Sequence, residues 1–360
     1  MTGLSITGYD AVEYWVGNAK QAAWFHRQVL GFDLVAYAGP ETGVRDRASY
    51  VLEQGGIRFV VTSPLSGDHP IAHHHRRHGD GVRDVAFTVP DAEAAFATAV
   101  ARGARPHREP QVLADDDGEV VLAAIGVYGD TVHSLVQRDG YRGAYLPGYQ
   151  PLRRSGAAAG FTAVDHVVAN VEAGAMEAWA GFYERILGFA QLRHFDDEAI
   201  STEYTALMSK VLADGEGRIK LPINEPAAGR RRSQVDEYLE AYDGPGVQHL
   251  ALATDDIVAT VGALRERGMS FLDVPAEYYP DARARVGEVA ERWSDLERLG
   301  ILVDRDDEGY LLQIFTEPLQ DRPTVFFEVI QRHGSRGFGV GNFQALFASL
   351  ERAQAARGNW

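Results

Sequence analysis

His166, His249 and Glu328 are the side chains of this 360-residue chain whose types and setting best suit chemistry. Each sits in a short apolar run that reads as a strand: AVDHVVAN, GVQHLAL and FFEVIQR. Two imidazoles and one carboxylate on one face, with the other coordination positions open, make the facial triad of non-heme Fe(II) centres. Open positions are what a reaction with O2 requires, because substrate and dioxygen must both reach the ion. A lone strand histidine is more often an ordinary core residue. A Glu placed after two Phe, however, is costly to bury without a partner.

An internal repeat links the three. The run YDAVEYW from Tyr9 parallels FTAVDHVV from Phe161, and LGF follows in both. GDGVRDVAF from Gly79 parallels GPGVQHLAL from Gly244, and HSLVQRDG from His133 parallels FFEVIQRHG from Phe326. In this alignment His166 falls on Tyr14, His249 on Asp84 and Glu328 on Ser134. Tyr, Asp and Ser match no common metal preference. The N-terminal half is therefore expected to be a metal-free scaffold.

Each repeat reads as a strand, an Asp or Asn near a helix start, an amphipathic helix and a closing Gly. Two such units per half resemble the tandem βαβββ modules of the vicinal-oxygen-chelate proteins. That resemblance implies an α+β fold of two barrel-like halves with a C-terminal helix. The offset between repeats grows along the chain, so the second half has gained residues between 203 and 243 and between 275 and 300. Val286, Val289, Trp293 and Leu296 in the latter predict an added helix. RRSGAAAG is small and turn-rich, which predicts a linker over 153–160 between an N-terminal domain, 1–152, and a catalytic domain, 161–360.

Polar residues interrupt otherwise apolar strands at Ser209, Asn224, Gln248 and Gln313. Amides and hydroxyls near a metal suggest hydrogen bonds to a small oxygenated substrate. Gly337, Gly339 and Gly341 precede a helix expected from about Asn342, with Phe343, Leu346, Phe347 and Leu350 along one face. This predicts a lid with Phe338 and Phe343 at its hinge. The cluster His69, His73, His74, His75 and His78 lies among Pro, Gly and Arg without carboxylates at ligand spacing. It is expected to be a solvated loop or a helix end that binds Zn or Ni only adventitiously.

Composition narrows the function classes. Apolar residues make up 45% and charged residues 24%, as in folded globular proteins. With no cysteine, disulfides, thiolate metal sites and a cysteine nucleophile are excluded. A net charge of −16 argues against a nucleic-acid partner, whose phosphates need a basic face. No signal-like N-terminus or run long enough to span a bilayer is seen, so a soluble, cytoplasmic enzyme with no membrane partner is expected.

DHVVAN, ALMSKV, LPINEP, RRSQVDEYL, GVQHLAL, LLQIFT, RPTVFFEVIQRHG and GFGVGNFQALF resemble the 4-hydroxyphenylpyruvate dioxygenase family over nearly the whole chain. The resemblance implies Fe(II) on His166, His249 and Glu328. It implies conversion of 4-hydroxyphenylpyruvate and O2 to homogentisate and CO2 in tyrosine and phenylalanine catabolism, by a homodimer or homotetramer. The substrate's ring would lie near Phe315, Phe326, Phe338 and Phe343. Ser209, Asn224, Gln234, Gln248, Gln313 and Asn342 would form the polar network around it. Among these, Gln313, Asn224 and Phe338 are the expected participants in catalysis. Val340 departs from the family, which usually has a basic residue there. A related enzyme, 4-hydroxymandelate synthase, shares substrate and metal but tends to lack the run Pro222-Ile223-Asn224-Glu225-Pro226, which is intact here. An extradiol catechol dioxygenase would need a further His and Tyr that cannot be placed.

Overall fold

The four strand–helix units of the sequence become four βαβββ modules in the computed structural model, which describes residues 4–154, 156–195, 207–227 and 232–358. The first module is β1 (Gly8–Trp15), α1 (Ala19–Gln28), β2 (Asp33–Ala38), β3 (Arg47–Gln54) and β4 (Ile57–Pro64). Helix α2 (Pro70–His78) leads to the second: β5 (Gly81–Thr88), α3 (Ala92–Ala101), β6 (Arg105–Asp115), β7 (Gly118–Gly126) and β8 (Val132–Gln137). A short strand, β9 (Gln150–Pro151), closes this half. The third module is β10 (Phe161–Asn170), α4 (Met176–Phe182), β11 (Ala190–Phe195), β12 (Leu207–Ala213) and β13 (Lys220–Pro226). After α5 (Gln234–Tyr242) the fourth contains β14 (Gly246–Thr254), α6 (Ile257–Glu266), α7 (Tyr278–Val286), α8 (Trp293–Leu299), β15 (Leu302–Arg305), β16 (Tyr310–Phe315) and β17 (Phe326–His333). Helix α9 (Phe343–Ala356) ends the chain.

Local chemistry explains the helix boundaries. Asn18, Asp91 and Asp256 are N-caps whose side chains accept from backbone N–H groups three residues on. Ser233 and Asp236 form a capping box at α5. Gly103 and Gly268 follow α3 and α6 with φ of 99° and 92°, a left-handed conformation that glycine adopts without Cβ strain. The added helix expected between 275 and 300 is two helices, α7 and α8. Helix α5 stands where α2 stands in the first half, so the earlier insertion does not supply it; residues 203–206 and 228–231 lie outside the described residues.

Among the described residues each half folds its strands into one curled sheet, of nine strands in the first half and eight in the second. The centres correspond: β4-β1-β5-β8 in one, β13-β10-β14-β17 in the other. Parallel pairs β1·β4 and β5·β8 match β10·β13 and β14·β17. Register corrects one expected equivalence. Asp84 and His249 are counterparts, and Glu13 pairs with Asp84 where Val168 pairs with His249. Ala11 opposite Ala86 therefore matches His166 opposite Ala251. The counterpart of His166 is Ala11, not Tyr14. The shared Ala-Val at the two strand starts misaligns them by three residues. Ser134 stands by the same argument opposite Glu328, since Asp84 pairs with Val132 and His249 with Phe326.

The halves share one core. Phe59 of β4 stacks on Phe327 of β17 at 5.9 Å, and His26 of α1 meets Phe327 edge-on at 6.2 Å. Buried Gln54 donates to the Leu30 carbonyl, and its Oε1 accepts from the amides of Ala159, Gly160 and Phe161. The segment joining the halves is thus tied down at its far end rather than free. Among the described residues no helix is long and apolar enough to cross a membrane.

Candidate active site

Three neighbouring strands carry the triad: His166 on β10, His249 on β14 and Glu328 on β17. Alternation along β17 turns Phe326 and Glu328 toward the pocket and Phe327 toward the core shared with the first half. All three triad residues are buried. Glu328 Oε2 lies 3.2 Å from His166 Nε2 and 3.5 Å from His249 Nε2. Cis ligands on a six-coordinate ion with bonds of about 2.1 Å are about 3 Å apart, so one ion fits between these atoms with little movement.

Both imidazoles are turned the right way. His166 Nδ1 contacts Asp165 Oδ1 at 2.7 Å, and His249 Nδ1 contacts Gln248 Oε1 at 2.9 Å. A carboxylate and an amide oxygen only accept, so each Nδ1 carries the proton and each Nε2 offers its lone pair to the pocket. Those nitrogens face the Glu328 carboxylate, an arrangement that protons on the rings or a cation between them satisfies. Burial alone would raise the Glu328 carboxyl, but His166 and His249 outweigh it and hold it at about 2. His166 is pushed down by burial and up more strongly by Glu328 and Asp165. His249 is lowered by burial, which Glu328 only partly offsets.

Asp165 belongs to a buried charge network that sequence inspection missed, although it directly precedes His166. Arg332 donates to both its oxygens at 2.7 and 2.9 Å, and Lys220 Nζ lies 3.2 Å from Oδ2. Burial would raise this carboxyl, yet Arg332 and His166 hold it well below the usual range. The same guanidinium donates to the carbonyls of Ser335 and Gly337 and sits 5.5 Å over the Phe338 ring. One arginine therefore connects the support of His166 with the glycine-rich segment before α9.

The pocket gathers the predicted side chains. Ser209, Asn224, Gln234, Gln248 and Gln313 line it with Phe315, Phe326, Phe338 and Phe343. The Phe338 ring meets His166 edge-on at 5.2 Å, and Phe326 stacks on His249 at 4.8 Å. Ser209 and Asn224 are cross-strand partners on β12 and β13. Gln313 Oε1 is buried without a hydrogen-bond partner. Asn342 is the one predicted residue outside the lining. Its side-chain oxygen accepts from Tyr278 and Arg285, because the turn into α9 directs it toward β15 and α7. The apolar stripe of α9, including Leu346, Phe347 and Leu350, forms one wall, and Val235 of α5 backs it. Val168, Leu207, Val211 and Pro222 also line the pocket. Their only sequence signal was strand alternation. The described lining has no histidine beyond the triad and no tyrosine, so acid–base groups of the extradiol kind are not in place.

The counterpart site in the first half is filled by other contacts. Ser134 donates to Asp84 through both backbone N–H and hydroxyl, and Thr62 donates to Glu13 at 2.6 Å. Of the two expectations for the histidine cluster, a solvated loop or a helix end, it is the helix that is found, and part of the cluster is buried. His69 caps α2, and His74 and His78 on that helix are buried.

The chain is similar to known proteins along nearly its whole length. Residues 2–146 match the model "Hydroxyphenylpyruvate dioxygenase, HPPD, N-terminal". Residues 163–314 match "Glyoxalase/Bleomycin resistance protein/Dioxygenase superfamily". A 4-hydroxyphenylpyruvate dioxygenase of Yarrowia lipolytica is 46% identical, covering 99% of this chain and 94% of the relative. One from Dictyostelium discoideum is 47% identical, covering 98% and 99%. A solved triple mutant of 4-hydroxymandelate synthase from Streptomyces coelicolor superposes with a TM-score of 0.87 at 36% identity, covering 97% of this chain and 99% of that one.

Proposed function

The chain belongs to the 4-hydroxyphenylpyruvate dioxygenase family, and from that premise we propose that the α9-covered pocket binds iron(II) and converts 4-hydroxyphenylpyruvate and O2 to homogentisate and CO2. His166, His249 and Glu328 are its ligands. The observation that carries this reading is the convergence of His166 Nε2 and His249 Nε2 on one buried carboxylate, at 3.2 and 3.5 Å. A two-imidazole, one-carboxylate set with open positions suits Fe(II). When bound, the iron supplies the redox chemistry by which O2 reacts with a chelating 2-oxo acid.

The protein's own part is to bind, orient and exclude water. Phe315, Phe326, Phe338 and Phe343 clamp the substrate ring, so that ring attack follows decarboxylation in one orientation. Asn224 and Gln313 position the ring through its phenol, and Ser209, Gln234 and Gln248 complete the polar surround. The unpaired Gln313 Oε1 is a ready acceptor for the phenol O–H. Helix α9 acts as the lid, keeping water out while the oxidant is consumed. Residues 1–152 serve as a scaffold without a catalytic triad and as oligomer surface in a dimer or tetramer, with the catalytic domain at 161–360.

The solved synthase relative makes a second product worth testing, because benzylic hydroxylation would need the same substrate and metal. The intact Pro222–Pro226 run, with Pro222 and Asn224 lining the pocket, favours homogentisate. Iron(II)-loaded protein incubated with 4-hydroxyphenylpyruvate under O2 should yield homogentisate, identified by NMR and mass spectrometry. 4-Hydroxymandelate as the main product would overturn the assignment. Full activity with another divalent ion and none with iron(II) would overturn the metal.

A further inference from the structure

Helix α2 carries His74 and His78 one turn apart, and both are buried. The spacing puts both imidazoles on one face, with ring centroids 4.6 Å apart. Asp130, in the turn between β7 and β8, completes a cluster. Its Oδ2 lies 3.3 Å from His74 Nδ1 and 3.2 Å from His78 Nε2. The Asp130 side chain is 42% exposed, against 1% and 2% for the two histidines, so the cluster opens to solvent only on the carboxylate side.

The hydrogen-bond partners fix what His78 can offer. Its Nδ1 contacts the Tyr242 carbonyl oxygen, which only accepts, so that nitrogen bears the proton. In the neutral ring Nε2 is then a lone pair aimed at a carboxylate oxygen. Two acceptors at this separation repel unless a cation lies between them. Ligands about 2.0–2.1 Å from a tetrahedral ion stand about 3.3 Å apart, which the two N···O distances match. The ligand atoms of all three residues lie within 4.8 Å of one another. The neighbouring charges are Arg83, stacked on Trp15 beside His74, and Arg77, which pairs with Asp243. Both imidazoles thus present a ring nitrogen to the same carboxylate oxygen.

We propose that His74, His78 and Asp130 form a second divalent-cation site of the zinc class, distinct from the catalytic triad, with water in the fourth position. The ion fixes α2 to the β7–β8 turn. Through His78 and the Tyr242 carbonyl it also fixes α2 to the end of α5, the helix whose first residue, Gln234, lines the active pocket. The Tyr242 carbonyl plays the orienting part that metal-bound histidines usually require.

The test uses the full chain carrying Glu328→Ala, which disables the triad, so that a tightly held ion must sit elsewhere. Titrated with Co2+, this protein should bind one ion per chain with the intense visible bands of a four-coordinate site. Adding His74→Ala should abolish them. Asp130→Asn, which keeps shape and fold, should do the same. His73→Ala, on the exposed side of α2, should leave them unchanged. Absence of these bands in the Glu328→Ala protein would overturn the proposal, as would binding that survives Asp130→Asn or disappears with His73→Ala. In that event His78 only bridges the Tyr242 carbonyl and Asp130 by hydrogen bonds.

Discussion

Asp165→Asn should separate positioning from ligation at the metal, because every donor around that carboxylate is accounted for. Its two oxygens receive His166 Nδ1, two nitrogens of Arg332 and the Lys220 ammonium. An asparagine has one oxygen. If that oxygen serves His166, the new NH2 faces Arg332 Nε and Lys220, three donors with no acceptor. If the amide turns over, His166 Nδ1 faces the NH2. The imidazole then shifts its proton to Nε2 and loses the lone pair that the metal needs. Removing one partner of a buried ion pair costs about 3–5 kcal/mol. Arg332 keeps the Ser335 and Gly337 carbonyls, so the lower end, about 3 kcal/mol, is expected. Loss of a carboxylate that orients a metal-bound histidine weakens metal affinity by about 10–100-fold, roughly 1.4–2.7 kcal/mol. Urea unfolding of metal-free protein measures the first term, and competition with a chelator for iron measures the second. Folded Asp165→Asn protein that holds iron within twofold of the parent would refute the orienting role.

His166→Ala, His249→Ala and Glu328→Ala should each abolish tight iron binding and turnover, whereas His73→Ala should alter neither; iron content and rate decide this. Phe338→Val should keep decarboxylation but uncouple it from ring hydroxylation, because it opens the space beside His166. The ratio of CO2 released to homogentisate formed should then exceed one, and a ratio fixed at one in folded protein would dispose of the lid reading. Asp84 is raised by burial from 3.8 to about 6, so folding favours its neutral form. That benefit is full below pH 4 and is lost as pH rises from about 4 to about 6. With about 1.4 kcal/mol per tenfold, ionised Asp84 costs roughly 2–3 kcal/mol above pH 7. Asp84→Asn should therefore stabilise the protein at pH 7.5 by about 1–2 kcal/mol and not at pH 4, measured by urea midpoints. Gly339→Ala should lower activity, since its φ is +74° and a Cβ would meet the Gln313 amide at 2.5–2.9 Å. A variant with parental kcat/KM would show that the Gln313 position is not critical.

The buried His166, His249 and Glu328 cluster was legible because duplication supplies an internal control: a His or Glu stands out where its counterpart is Asp or Ser. The same device slipped at His166, where a two-residue Ala-Val match outweighed the register that only strand pairing reveals. The α9 stripe was legible from its 3.6-residue period, although the period does not say that its apolar face meets a cavity. Asn342 was misplaced because a turn residue can point to either side of its helix. The histidines of α2 read as solvated since nothing near them in sequence buries them. The groups that do, Asp130 and Tyr242, come from about fifty and about a hundred and sixty residues further along the chain. Asp165, Lys220 and Arg332 carry no short-range pattern, and only the sheet brings them together.

The placement of Phe327 sets a limit on how this chain can evolve. A half that lacks the triad would ordinarily be free to drift or to be deleted. Here the strand bearing Glu328 leans on the other half through the adjacent Phe327, which stacks on Phe59 and meets His26. Selection for metal affinity in one copy of the duplication is thereby transmitted to apolar residues of the other. Sequence change in the first half should be slow at the aromatic residues behind β17, although none of those lines the pocket that holds the triad.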